Sequence, residues 1–550
     1  MNLNVGNGAD RLAALLVDAE HRISNGDMAG AESALLRAER EGIRHPDLFR
    51  IRGELLALKG RFAEAGSLFN HALALAPHDP RIVTDIGRLL VAEDRIREAV
   101  GAFNAALRIA PGNADLWYEL GSALEILEDT AGARSAYENA RSIAPGAAAP
   151  WAALAALAVR TGDTVGAQHL VDGALQREPG NLGAALVLAR LELHRGEHAT
   201  AGRRLQDLLN AGRLDERQTQ WALSMQGDAL DAEGRSSEAF AAYAQMNELM
   251  LNANAHRFGS GGLVENHLSL VNRLTDWFAR QDRAMWRRAQ IGSHYESPVR
   301  RHVFLFGYPR SGNTLTENVL ASLEDVRGLE ERPTLADADA AFLRNDAGMD
   351  RLVMLDPTLA DEQRRAYWSR VRAEVPDVDG KVFVDMAPLN GIKMQVIFRL
   401  FPDALVVRCL RDPRDVIFSC FRQHFKVNAS TYQMGRLEDV ARHYDAVMKL
   451  TELHMDALPL PVHVMKYEHL VRDFDGATRE LAQFVGVPWN ENVRAFHRTA
   501  SARGVKTASM HQVQQALFDG SGQWRRYSRQ LEPVMPWLDP WIRLYGYATS

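Results

Sequence analysis

A chain of 550 residues is long enough for two or more domains, each with its own hydrophobic core. Its net charge of −6 and pI near 6.3 supply no general basic field, which argues against nucleic acid as a partner. The two cysteines, Cys409 and Cys420, stand apart from any His/Cys array; they make no disulfide framework and read as small apolar residues rather than metal ligands.

The first residues, Met1 to Ala9, are polar and rich in Gly and Asn, unlike a signal peptide, and nothing later reaches the roughly 18 unbroken apolar residues of a membrane helix. The expectation is a cytoplasmic protein with no membrane span. Pro77, Pro111, Pro145 and Pro179 then recur every 34 residues, and Gly53, Gly87 and Gly121 keep that period. Ala31, Ala65, Ala99, Ala133, Ala167 and Ala201 share one register, and Ala38, Ala72, Ala106, Ala140 and Ala174 another. Small residues at fixed positions let two helices approach closely, and the proline stops the second, so each unit is a helix-turn-helix. The pattern resembles the tetratricopeptide repeat from about Ala13 to Asn210, with a further unit near Gln220 to Asn254. It implies an all-α solenoid over residues 10–254, stable only through stacking, that serves as a docking surface for a peptide or protein partner or as a passive scaffold. Trp117, Tyr118, Trp151 and Trp221 read as packing between repeats. From Leu251 the period is lost; residues 255–300 read as a glycine-containing joint, Phe258 to Gly262, and a connector helix over Leu268 to Trp286.

From residue 301 onward, short apolar runs alternate with helical segments. Val303 to Phe306, Val382 to Val384, Leu405 to Leu410 and Val462 to Met465 read as strands; Leu315 to Leu323, Ile392 to Phe401, Leu437 to Leu453 and Ala477 to Val485 read as helices. Strands with so little polar alternation are buried on both faces, which predicts an α/β domain over 301–550 with a parallel sheet and ligands at the strands' carboxyl ends.

Two loops fall at such ends. Gly307-Tyr308-Pro309-Arg310-Ser311-Gly312-Asn313-Thr314 joins a strand to a helix N-terminus, where unsatisfied N–H groups, the helix dipole and Arg310 favour an anion. The spacing matches the nucleotide P-loop except that Asn313 replaces its lysine, so a phosphate site without magnesium fits better than triphosphate chemistry. An ordinary strand-to-helix turn is the plainer alternative. Arg411-Asp412-Pro413-Arg414-Asp415 with Ser419 forms the second loop, read either as a second phosphate site or as a surface ion-pair cluster with a helix cap. Two phosphate sites on one sheet suit a nucleotide phosphorylated on both sides of its ribose.

The first stretch resembles the 5′-phosphosulfate loop of the sulfotransferases and the second their 3′-phosphate motif. The similarity continues through Tyr467-Glu468-His469-Leu470-Val471, Phe484-Val485-Gly486-Val487-Pro488-Trp489 and Gly522-Gln523-Trp524-Arg525-Arg526-Tyr527. With the repeats in front, the chain resembles the bacterial tetratricopeptide-repeat sulfotransferases, whose catalytic domain is similar to that of the protein-tyrosine sulfotransferases. The resemblance implies a metal-independent, P-loop-like enzyme that moves a sulfuryl group from 3′-phosphoadenosine 5′-phosphosulfate (PAPS) to a protein or carbohydrate hydroxyl. It places Arg310, Ser311, Gly312, Asn313 and Thr314 on the 5′-phosphosulfate and Arg411 and Ser419 on the 3′-phosphate. Tyr467, Trp524 and Arg525 would close over the nucleotide, Glu331 would serve as the base, and Ser509 would hold sulfuryl oxygens. His424 and His511 rank below Glu331 as bases. Where the family carries a lysine beside the bridging oxygen this chain has Met386, and Lys393 or Lys381 are the residues that could substitute. Alternatives of other classes are a nucleotide-binding scaffold that acts through its repeats and, less fittingly, a magnesium-dependent kinase or NTPase.

Overall fold

The 34-residue alanine ladder folds as it reads. In a computed structural model, which describes residues 4–40, 44–287, 295–503 and 517–549, the chain divides into two compact units, Met1–Glu197 and His198–Ser550. The first unit is a run of antiparallel helix pairs, from Asn4–Ser24 to Leu182–His194. Both alanine registers are fully buried, through Ala174 in this unit and at Ala201 just beyond it. An added Cβ at Gly53, Gly87 or Gly121 would meet the ring of Phe69, Phe103 or Tyr137 at 2.7, 2.5 and 2.6 Å, so the glycine period records one recurring aromatic contact. Asp79, Asn113, Asp163 and Asn181 each cap a helix of this unit by accepting N–H groups of its first turn.

The second unit contains the helices Glu216–Ala232 and Ser236–Phe258 and a five-stranded parallel sheet. Here the glycine contact returns, with Gly227 facing Tyr243. The strands are β1 (Arg301–Phe306), β2 (Val326–Glu330), β3 (Val382–Met386), β4 (Leu405–Leu410) and β5 (Val462–Lys466), in the order β2-β3-β1-β4-β5. Val303 pairs with Val384 on one side and Leu405 on the other. Alternate residues of each strand feed two separate cores. Phe304, Phe306, Phe383 and Val406 belong to one; Val303, Leu305, Val384 and Val407 belong to the other. The first of these cores also takes in Leu230, Ala239 and Tyr243 of the preceding helix pair.

Two details differ from the sequence reading. The segment 268–286 is not one helix: His267–Ala279 ends, Asp282 caps a new start by accepting the Ala284 N–H at 2.9 Å, and Arg283–Arg287 follows. The stretch before Glu331 is strand β2, paired along its length with β3. Among the described residues no helix is long and apolar enough to cross a membrane.

Candidate functional site

Because β1 and β4 are adjacent and parallel, the loops that leave their carboxyl ends are neighbours. After β1 the chain places Arg310 and Gly312 in the left-handed region, at φ 69° and 96°. The helix Asn313–Ala321 begins there, its ladder opening with the Thr316 N–H on the Gly312 carbonyl. A Cβ on Gly312 would stand 3.1 Å from Tyr467 Cδ2. Asn313 points its amide backward: Nδ2 donates to the carbonyls of Gly307 and Tyr308 at 3.3 and 3.1 Å and so knots the turn. Ser311 and Thr314 are buried beside it. Tyr308 donates or accepts at His443 Nδ1, 2.7 Å away, which anchors the turn from beneath.

After β4, Asp412 caps the helix Pro413–Phe421 by accepting the Arg414 N–H, with Pro413 at the first helical position. The two arginines of this loop part company. Arg414 is consumed internally: it is paired with Asp412 at 2.8 Å, donates to the Ala548 carbonyl and stacks 3.8 Å from the Trp524 ring. Arg411 faces the cleft. Its Nη atoms reach the carbonyls of Arg310 at 3.1 Å and Gly520 at 2.6 Å, its guanidinium lies 4.6 Å from the Tyr467 ring, and its buried Nε has no partner among the described residues. Arg310 Nε donates to Ser419 Oγ at 3.0 Å and ties one loop to the other. Burial, reinforced by repulsion from Arg422 and Arg411, pushes the Arg310 pKa down to about 10. Arg310, Gly312, Arg411, Ser419, Arg422 and Tyr467 line one cleft.

Glu331 follows the end of β2 with φ 46°, its N–H on the Met386 carbonyl at 2.7 Å. Its side chain reaches solvent, yet the crowding of its carboxyl, then the Glu330 charge, push the pKa up to about 7 against the pull of Arg310. Glu330 accepts from Asn318 Nδ2 at 3.0 Å. Glu317 beneath it is fully buried, raised to about 7 by burial and held by Arg503 at 2.8 Å. Met386 is entirely buried in the apolar cluster with Val303, Leu305 and Val384. Lys381 precedes the amino end of β3 and pairs with Asp325, the length of a strand, or about 16 Å, from the loops. Lys393 pairs with Asp339.

The C-terminal tail closes the cleft from above. Tyr467 donates its hydroxyl to the Phe518 carbonyl and accepts the Gly520 N–H, both at 3.0 Å, while Asp415 accepts the N–H groups of Gly522 and Trp524 at 2.7 and 2.9 Å. Trp524 lies on Arg414, Arg525 is exposed beside it, and Gln523 from this stretch lines the cleft. His424 stands 3.4 Å from Gln220 with its pKa lowered by burial. Ser509 and His511 lie outside the described residues. Sequence reading missed Arg422, Glu317 and Arg503. Arg422 stands three residues after Ser419 on the same helical turn, which was a usable signal; nothing local marks the other two.

Comparison with known proteins matches residues 302–491 to a sulfotransferase family model and 17–80, 56–124, 114–146 and 158–221 to tetratricopeptide-repeat models. An uncharacterized protein of Aquifex aeolicus is 29% identical over 252 residues, 43% of this chain and 32% of that protein. Protein-tyrosine sulfotransferase 1 of Danio rerio is 24% identical over 200 residues, 35% of this chain and 54% of that one. The chain thus spans about a third and about half of the lengths of these relatives. Among solved structures, Pseudomonas aeruginosa pilF aligns with 37% of this chain and 93% of its own at 17% identity and a TM-score of 0.33. A tetratricopeptide repeat protein of Parabacteroides merdae aligns with 44% and 93% at 16% identity and 0.36.

Proposed function

From a chain that joins tetratricopeptide repeats to a sulfotransferase-family domain, we propose an enzyme that transfers the sulfuryl group of PAPS to an acceptor hydroxyl without a metal. The observation that carries the reading is the Arg310–Ser419 hydrogen bond, which brings two anion-seeking loops to one cleft between adjacent strand ends. In this reading the turn Arg310 to Thr314 takes the 5′-phosphosulfate and Arg411 with Ser419 the 3′-phosphate. The unpartnered Nε of Arg411 and the cations around it fit such a dianion. Asn313 contributes through its backbone, since its side chain is spent inside the turn. Tyr467 flanks the nucleotide, and Trp524 supports the cap through Arg414 with Arg525 at its outer edge. Ser509 would join the sulfuryl oxygens from the segment that follows Arg503.

Glu331 acts as the base. Its pKa near 7 lets it take the acceptor proton as the new S–O bond forms and the bond to the 5′-phosphate oxygen breaks, leaving the bisphosphate nucleotide. Arg310 stabilises the charge that collects on that oxygen. A protein or carbohydrate hydroxyl is the acceptor class that suits the repeats, which recruit the acceptor or a protein partner. Transfer of labelled sulfate from PAPS to an acceptor panel, in chelator, tests this; no transfer to any acceptor overturns it.

Met386 favours a second reading, a nucleotide-binding scaffold without turnover. A side chain wholly inside an apolar cluster supplies no cation to the leaving oxygen. Tight binding of 3′-phosphoadenosine 5′-phosphate with no transfer would establish it.

A further inference from the structure

Arg422 belongs to neither strand-end loop. It follows the last turn of the helix Pro413–Phe421 and lines the cleft with Arg310, Arg411 and Ser419. Its other side is held by Asp231, near the end of the helix Glu216–Ala232 in the last repeat-like pair of the second unit. Asp231 is 8% exposed and is the centre of a network: it accepts Arg422 Nη1 at 3.3 Å, Arg526 Nη2 at 3.2 Å and the Tyr527 hydroxyl at 2.6 Å, and its carbonyl accepts Arg526 Nη1 at 3.0 Å. One carboxylate therefore serves a residue of the cleft wall and two residues of the tail that follows Trp524.

Packing reinforces the link. The Tyr527 ring stacks 3.7 Å from Phe418, one residue before Ser419, and Phe418 meets Tyr243 edge-on at 6.4 Å. Phe240 stacks on Phe421 at 4.8 Å, and the buried Asn247 donates Nδ2 to the Phe421 carbonyl at 2.8 Å, satisfying a carbonyl at the C-terminus of the helix that carries Ser419. Asp228, which accepts the Tyr243 hydroxyl at 2.9 Å, also draws on Arg422, so two carboxylates hold this arginine in place beside the cleft.

We propose that Asp231 is a positioning residue of the nucleotide site, holding Arg422 as a further cation toward the bound phosphate and Arg526 and Tyr527 beneath the cap, so that the helix pair Glu216–Phe258 supports that site from behind its lining. This rests on the reading that the cleft takes a nucleotide phosphorylated at 3′ and 5′. A long arginine side chain ordered beforehand loses less freedom on binding than one that must be ordered by the ligand.

Calorimetry of the full chain with 3′-phosphoadenosine 5′-phosphate tests it. If the unaltered chain binds none, the reading of the site fails and this inference with it. If it binds, Arg422→Gln and Asp231→Asn are each expected to weaken binding about tenfold, and the double variant by clearly less than the product of the two, because they share the Arg422–Asp231 contact. Asp231→Glu recovers part of the loss. Binding by Arg422→Gln also becomes less sensitive to salt, which a purely structural arginine would not cause. Unchanged affinity in Arg422→Gln, tighter binding in Asp231→Asn, or an unchanged salt dependence overturns the proposal while the nucleotide reading stands. Should Asp231→Asn fail to fold, Arg422→Gln and Asp231→Glu decide the matter alone.

Discussion

Between β1 and its helix the chain turns on backbone geometry, with two left-handed residues and an asparagine that fastens the turn to itself. Between β4 and its helix it turns on charge, with Asp412, Arg414 and Asp415 paired to one another and to the tail while Arg411 is left facing the cleft. A cradle of N–H groups suits an anion whose geometry changes during reaction, because its donors are fixed. A guanidinium suits a phosphate that only has to be held. On the proposed function the two loops would divide transfer from grip, and the following expectations test that division in decreasing order of size.

The largest effect belongs to the transfer side. Glu331→Gln should lower kcat by roughly 10² to 10⁴ with little change in nucleotide affinity, as loss of a general base does. If Glu331 is the base, as proposed, it works only when deprotonated, so kcat of the unaltered chain should rise with pH through about 7 and level off above it. Glu330→Gln removes the repulsion that helps raise Glu331 and should move this inflection to lower pH. Rates of Glu331→Gln that keep the same inflection would assign the proton transfer elsewhere.

Arg414 comes next, and its effect should appear in folding. Replacing it with Ala leaves a mostly buried Asp412 carboxylate without its ion pair and removes the surface under Trp524, a loss of about 3 kcal/mol in unfolding free energy. Arg411→Ala should spare stability and weaken binding of 3′-phosphoadenosine 5′-phosphate by at least about 2 kcal/mol, roughly thirtyfold. Denaturant melts beside calorimetry separate the pair, and the reverse pattern would collapse the distinction between the two arginines.

The resemblance had put Arg411 and not Arg414 on the phosphate, but nothing within Arg-Asp-Pro-Arg-Asp itself shows where Arg414 goes. What separates them is Trp524 and Ala548, more than a hundred residues downstream, which take Arg414 out of play. Local signals carried much of the remainder. The alanine and glycine periods exposed the helix pairs because every repeat solves the same packing problem, and β1, β3 and β4 stood out as apolar runs because both sheet faces are covered there, while β5, an edge strand with Val464 exposed, showed through its valines alone. Strand β2 did not, since an edge strand with Arg327, Gly328 and Glu330 lacks that run. The Asp231 network was not legible either: Arg422, Arg526 and Tyr527 stand in or beside the quoted motifs, but nothing in the sequence joins them to Asp231, 191 and 296 positions from Arg422 and Tyr527.

The smallest effect is the most direct test of the backbone loop. Asn313 occupies the position where a P-loop lysine would reach forward to phosphate, yet its amide reaches back to Gly307 and Tyr308, and its Oδ1 is buried without a partner among the described residues. Asn313→Ala therefore removes two weak-to-moderate hydrogen bonds from the turn and should cost about 1 kcal/mol of stability. Nucleotide affinity should fall no more than about threefold, through looser placement of the N–H groups rather than loss of a ligand contact. A thirtyfold loss, equal to that expected for Arg411→Ala, would show the side chain itself on the phosphate and would make the first loop a side-chain site like the second.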